Sequence, residues 1–551
     1  MSFSDHETIA RRTNPVAGHG MITTPHHLAS QSGLAVLRRG GTAVDAVIAA
    51  GAVLAVAYPQ MCGLGGDAFW LIYDTARGKG RALNASGRAA RAVSGEAFAA
   101  GGGIPTRGWR AAITVPGMVS GWGEAYAYSR DALGTELSWA DLLEDAVACA
   151  EDGVPVASSL AQWLREDTRT DAGETRNLQR FDGFRKIFCE TEGDFCAIGR
   201  RLRQPELAAT LRQLAREGWR AFYEGDIAAR IAADMRANGG LLSEEDFAGH
   251  HACWQEPLRV RYRGLSVLNC PPNSQGLASL ALLGILDRFD VRALGEGTAD
   301  YCHLLIEATK LAFADRDRYL GDPDFTEIPV EELLSPEHAA AQAARLDMRR
   351  AAVSVPPLDP HGDTVWLGAV DAWGTAVSMI QSVYHDFGSG IVAGNTGVLL
   401  QNRGCFFSLD PSSPNCLAPG KRPFHTLNPP MLLDGGTPRL IYGTMGGEGQ
   451  PQTQAALVTR IVDFGMTPQE AVCAPRWLYG RSWGEAVNTV RLESRLERAV
   501  AGELRRRGHD IAVTAAFSDV MGHAGAIWRH PETDFLWGAA DPRGDGIAAG
   551  W

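Results

Sequence analysis

Apolar residues recur three and four positions apart over Ala29 to Leu37, Ala43 to Val56, Leu142 to Glu151 and Thr298 to Ala314, which predicts four helices with a buried face. Short apolar runs bounded by glycine, proline or polar residues predict strands at AFWLIYD (68–74), LRVRYRGLSVLNCPP (258–272), TGVLLQN (396–402) and RLIYGTMGG (439–447). One run starts abruptly. Val365, Leu367 and Ala369 alternate with Trp366, Gly368 and Val370, the pattern of a strand buried on both faces, while Pro356, Pro357, Pro360 and Gly362 break regular structure just before it. The charged, proline-rich passage DMRRAAVSVPPLDPHGD (347–363) is the best boundary in a chain that has no internal repeat or low-complexity tract. Strands mixed with long helices predict a layered fold with sheet inside.

Composition adds exclusions. The 551 residues, 45% hydrophobic, suffice for a sizeable core, and a net charge of -12 argues against a nucleic-acid binder, which needs a basic surface. No apolar stretch follows Arg11-Arg12, and the longest apolar run, AVDAVIAAGAVLAVAY (43–58), contains Asp45 and is short for a membrane span, so a cytoplasmic protein with no membrane partner is expected. Ten scattered cysteines without a C-x-x-C pair predict reduced thiols.

Four stretches could carry chemistry. GRSWG (480–484) matches a nucleophile-elbow pattern, but that motif needs a strand before Ser482 and a helix after it, which PRWLY and EAVNTVRLE do not suggest. GLGGDAF (63–69) lacks the third glycine of a nucleotide loop and is expected to make a tight turn. His250, His251 and Cys253 in GHHACWQEP lack a second ligand cluster, so a solvated loop and no metal are expected. The fourth is Thr364 in Gly-Asp-Thr. A threonine hydroxyl needs an adjacent base, and its own α-amine, titrating near 8, can be that base if the Asp363–Thr364 bond is broken.

The surroundings of Thr364 resemble the gamma-glutamyltransferase family of N-terminal-nucleophile hydrolases over most of the chain. GHGMITTPHHLASQSGLAVLRRGGTAVDAVIAA, MCGLGGDAF, TVPGMVSGW, SWADLLEDAVACAEDGVPV, DTVWLGAVDAWGTAVSMIQS, FGSGIVAGNTGVLLQN, KRPFHTLNPPML and GTMGGEGQPQ each have a counterpart there, in the same order. The resemblance implies an α+β fold, an αββα sandwich made as a precursor that cleaves itself between Asp363 and Thr364 into a large subunit, 1–363, and a small subunit, 364–551. It implies Thr364 as nucleophile, Ser382 as the hydroxyl supporting its amine, and Gly446 and Gly447 as oxyanion donors. No metal or organic cofactor is implied, and a dimer of αβ units is left open.

The departures redirect the substrate. Transferases of the family grip an α-carboxylate and α-ammonium with an arginine, an asparagine, acidic residues and two serines. Here Ser86 stands where the arginine is expected, with Arg88 two residues on; Tyr384 replaces the asparagine, Phe406 an aspartate, and His425-Thr426 the serines. Arg403 stands where a Gln or Glu would contact the ammonium. Losing an anion and adding a cation reverses the charge preference of that pocket. The pattern looks more like the oxamate amidohydrolase and glutaryl-cephalosporin acylase branch, and implies hydrolysis of a small, carboxylate-bearing amide. Two alternatives stay open: a gamma-glutamyltransferase or glutathione hydrolase with an altered donor pocket, and an unprocessed homologue that only binds.

Overall fold

The computed structural model describes residues 14–166, 170–171, 174–175, 177–191, 194–352, 363–480, 488–496 and 498–551. Two seven-stranded antiparallel sheets form its centre. Their strands are β1 Val16–Ala17, β2 Met21–Thr24, β3 Asp67–Asp74, β4 Lys79–Ala85, β5 Cys253–Gln255, β6 Leu258–Tyr262, β7 Leu265–Asn269, β8 Asp363–Val370, β9 Ala376–Tyr384, β10 Met431–Asp434, β11 Thr437–Thr444, β12 Ala524–Arg529, β13 Leu536–Ala540 and β14 Ile547–Gly550. One sheet runs β5-β4-β3-β9-β8-β2-β14 and the other β1-β13-β12-β11-β10-β7-β6.

Their inner faces meet in a core of Phe69, Leu71, Trp366, Ile380, Met431, Ile441 and Ile527. Trp366 lies between the sheets, donates from Nε1 to Ser378 Oγ at 2.9 Å, and covers Gly443, where a Cβ would sit 2.2 Å from its indole. Glycine there lets the sheets approach around a large ring.

Helices cover both outer faces, completing the expected αββα sandwich. On the sheet holding β8 lie α1 His27–Arg38 and α2 Ala43–Ala57; on the other lie α3 Gly276–Leu286, α4 Ala299–Tyr319 and α5 Gly449–Val462. Every residue of α2 is buried. Its charge is explained by capping: Asp45 Oδ2 accepts from Thr42 N at 2.9 Å, and Thr42 Oγ1 accepts from Asp45 N at 3.2 Å, so two otherwise orphaned helix-start donors are satisfied inside the core.

The predicted helices and the strands at 68–74, 258–269 and 439–444 are present. TGVLLQN differs: Val398–Leu399 pairs with Val392–Ala393 and Leu400 makes a single bridge to Gly65, after which the chain turns to carry Gln401 and Asn402 into the interior. Among the described residues no cysteine forms a disulfide. Ser482 lies outside the described residues; a strand, Trp477–Tyr479, precedes it, and the next described element is another strand, Val490–Glu493. Among the described residues no helix is long and apolar enough to cross a membrane.

Candidate active site

Thr364 enters the interior at the start of β8, next to the end of β9. Asp363 pairs with Tyr384 and Val365 with Gln381, so Ser382 and Val383 together face the single Thr364 across a β-bulge. Thr364 is fully buried and its Oγ1 has no hydrogen-bond partner among the described residues. Ser382 Oγ accepts from Tyr384 N at 2.7 Å, bending the strand end, and Tyr384 takes φ +82°, a left-handed conformation that costs a non-glycine residue about 1–3 kcal/mol.

The glycine-rich stretch at 63–69 makes a tight turn, as expected, with Gly66 N donating to Gly63 O at 2.9 Å. A Cβ on Gly66 would lie 2.2 Å from the Ser382 carbonyl oxygen, so only glycine allows this close approach beside the bulge. The same stretch carries Asp67, which sequence reading missed. Asp67 pairs with Ser382 across β3 and β9. Its Oδ1 accepts from Gly87 N (2.9 Å), Gly117 N (3.1 Å) and Gln401 Nε2 (3.0 Å), and its Oδ2 faces His425 Nε2 at 3.1 Å. Burial pushes the Asp67 carboxyl up to about 6, opposed by Arg403 and these donors. Burial and the Arg403 charge hold His425 well below its ordinary range, so the ring is neutral, and its Nδ1 has no partner among the described residues.

Arg403, in the short turn Arg403–Phe406, is completely buried. Its guanidinium lies 3.8 Å from the Tyr384 ring centroid, and Nη1 donates to Thr426 Oγ1 at 3.3 Å. Nε and Nη2 have no partner among the described residues. Burial pulls this group down to about 10, still charged at neutral pH, and Tyr384 and Asp67 oppose the shift. Phe406 packs edge-on to Tyr384 at 5.8 Å and against Phe424 at 5.0 Å. A cavity of about 200 Å³ opens beside Phe406, between Arg316, Leu320, Cys405 and Phe424.

Gly446 and Gly447 follow β11 at φ +115° and +51° and lead into α5. Gln275 Nε2 donates both to Gly447 O (3.0 Å) and to Thr426 O (2.7 Å), joining this turn to the residue that Arg403 bonds. Buried Arg316 fixes it further, donating to Glu448 Oε1 at 2.6 Å and to Gln275 Oε1 at 3.4 Å. Neither Gln275 nor Arg316 carried a signal in the sequence, because each acts through backbone neighbours distant along the chain.

Thr364, Ser382, Tyr384, Arg403, Phe406, His425, Thr426, Gly446 and Gly447 are therefore linked through direct contacts or one shared neighbour. Arg88 points elsewhere, while Ser86 joins the group through Asn273, whose Nδ2 donates to Ser86 Oγ at 3.3 Å and whose carbonyl accepts from His425 N at 2.8 Å. Ser86 Oγ donates to Asn84 Oδ1 at 2.7 Å, and Arg88 pairs with Asp322 (3.3 Å) and Asp324 (2.5 Å). His250, expected in a solvated loop, is instead buried, its ring stacked on Tyr223 at 5.2 Å, while His251 is exposed. Packing against Tyr223, distant along the chain, accounts for that, which local polarity does not report. Among the described residues the one group with metal-ligand geometry is His303, Glu307 and His509. Its histidines bond each other at 2.8 Å and Glu307 pairs with Lys310 at 2.7 Å, so the cluster is occupied in tying α4 to the C-terminal part of the chain.

The sequence profile of the family described as Gamma-glutamyltranspeptidase matches residues 29–551. The chain is 47% identical over 538 residues to oxamate amidohydrolase proenzyme of Klebsiella pneumoniae subsp. pneumoniae, covering 97% of this chain and 99% of that one. It is 43% identical to the glutathione hydrolase-like YwrD proenzyme of Bacillus subtilis, covering 96% and 98%. The crystal structure of a cephalosporin acylase from Bacillus halodurans superposes with a TM-score of 0.88 at 37% identity, covering 98% and 97%.

Proposed function

Since the chain belongs to the gamma-glutamyltranspeptidase family, we propose that it is a self-processing amidohydrolase that uses Thr364 to hydrolyse the amide of a small, carboxylate-bearing acyl group, as in oxamate or a glutaryl amide. The observation that carries the specificity is Arg403, a buried guanidinium with Nε–H and Nη2–H unpartnered among the described residues. These two donors lie on one edge of the guanidinium and match the two oxygens of a carboxylate. An α-ammonium would meet the cation instead. Tyr384 and Phe406 supply aromatic walls, and Thr426 and His425 the polar rim.

In the proposed reaction, breaking the Asp363–Thr364 bond gives an α-amine on the large and small subunits' new boundary, residues 1–363 and 364–551. The amine takes the Thr364 hydroxyl proton as Oγ1 attacks the amide carbonyl. The negative charge developing on the carbonyl oxygen is stabilised by the N–H groups of Gly446 and Gly447, a contribution of about 3–4 kcal/mol for such donors. The amine then passes its proton to the leaving nitrogen, the C–N bond breaks, and water hydrolyses the ester to regenerate Thr364. Support for the nucleophile is its burial beside Ser382 with an unpartnered Oγ1.

A screen of ammonia release from oxamate and glutaramate against release of a chromogenic amine from a gamma-glutamyl anilide tests the reading. Faster turnover of the carboxylated amides lacking an ammonium is expected; preference for the gamma-glutamyl donor would contradict it.

A further inference from the structure

The loop GHHACWQEP, which the catalytic reading does not use, lines a second cavity of about 270 Å³. Its wall carries Arg88, Arg91, Arg422, His250 and His251 against a single carboxylate, Asp246. Arg403 is not part of it. That carboxylate is already engaged, accepting from Arg91 N at 3.0 Å and from Ser243 N at 3.0 Å and Oγ at 2.9 Å. Arg88 is held from outside by Asp322 and Asp324, and Arg422 donates from Nε to Ser86 O at 3.2 Å and from Nη2 to Cys253 Sγ at 3.3 Å, a weak acceptor, while its Nη1 lies 3.8 Å from Asp324 Oδ2.

Two groups are left over. The Arg91 side chain is exposed, lies against the backbone at Gly249, where a Cβ would be 3.5 Å from its Nη2, and has no ion-pair partner among the described residues. His250 is 5% exposed, and its Nε2 has no hydrogen-bond partner among the described residues. Burial and then the charges of Arg422, His251, Arg220 and Arg88 hold His250 down at about 3, so its ring is neutral within a positive field. A neutral ring can present Nε2–H to an acceptor, and a buried donor left without one is unfavourable until it finds one.

We propose that this cavity binds a compact oxyanion, a carboxylate or a phosphate, received by the guanidinium groups of Arg91 and Arg422 and by a hydrogen bond from His250 Nε2. The site is separate from the acyl pocket but borders it: Ser86 O binds Arg422, and the next residue, Gly87, donates to Asp67. Its loops come from both sides of the Asp363–Thr364 bond.

Isothermal titration of the full protein with inorganic phosphate, and separately with malonate, at fixed low ionic strength tests this. Saturable binding of at least one anion is expected, weakened tenfold or more by Arg91→Ala, a surface change that leaves the fold intact, and by His250→Phe, which keeps the ring stack and removes the donor. Tighter binding of phosphate assigns a phosphate ligand and tighter binding of malonate a carboxylate. Turnover of saturating amide should be the same in Arg91→Ala as in wild type, which separates this site from the Arg403 pocket. Absence of saturable binding for both anions, or equal affinity in wild type and Arg91→Ala, would overturn the proposal.

Discussion

Thr364 faces Ser382 across a β-bulge in which two residues of β9 oppose one of β8. The extra residue turns the end of β9, where Ser382 Oγ accepts from Tyr384 N at 2.7 Å. Ser382→Ala is expected to slow maturation and lower kcat. Leaving the buried Tyr384 N–H without this acceptor costs about 1–3 kcal/mol, and the left-handed Tyr384 backbone then relaxes. The acyl adduct trapped with slow substrate should still map to Thr364 by peptide mass spectrometry; an adduct on Ser382 would reverse the two roles.

Arg403→Lys keeps a charge and removes the planar pair of donors. The expected result is a loss in kcat/KM at least tenfold larger for a carboxylated amide than for a neutral one, equivalent to about 1.4 kcal/mol of discrimination. Steady-state kinetics on oxamate and on a matched neutral amide supply the comparison. Equal losses would show that Arg403 does not select the substrate.

Asp67 makes the pocket sensitive to pH. Its carboxyl titrates near 6 when buried, above its unfolded value of about 3.9, so the linked stability is full below the unfolded value and is lost as pH rises through about 6. For binding, the ionised Asp67 opposes a second anion at Arg403. KM for oxamate should therefore fall as pH drops from 7 to 5, while KM for a neutral amide stays level. A KM for oxamate that rises over that interval would contradict this arrangement.

Arg316 is expected to act on the reaction through the turn at Gly446 and Gly447. Removing one partner of a buried pair costs about 3–5 kcal/mol, so Arg316→Met should lower both Tm and kcat. The double change Arg316→Met with Glu448→Leu removes both charges and should recover much of the Tm. If kcat recovers equally, Arg316 has no role in placing the oxyanion donors.

The periodic apolar segments made the layers of the fold legible, because α2 and the central strands are buried throughout and carry little but their burial pattern. The breaker-rich passage before Thr364 likewise marked where β8 starts. Asp67 was hidden inside a stretch whose glycines explained it as a turn, and only the fold brings His425 and Gln401 to its carboxylate. Ser86 and Arg88 were placed in the pocket by position along the chain, yet Arg88 is drawn to the acids Asp322 and Asp324, while Ser86, bonded to Asn84, stays linked to His425 through Asn273. Spacing reports which face a residue occupies; it does not report which distant partner satisfies a buried polar atom.

The central claim is that Thr364 becomes an N-terminal nucleophile, and denaturing mass spectrometry of the purified protein with N-terminal sequencing tests it most directly. From a 59.1 kDa precursor, wild type should give two chains of about 39 and about 20 kDa, the smaller beginning Thr364-Val365-Trp366, and Thr364→Ala should remain one chain. A wild-type preparation that is fully active while uncleaved would contradict the account.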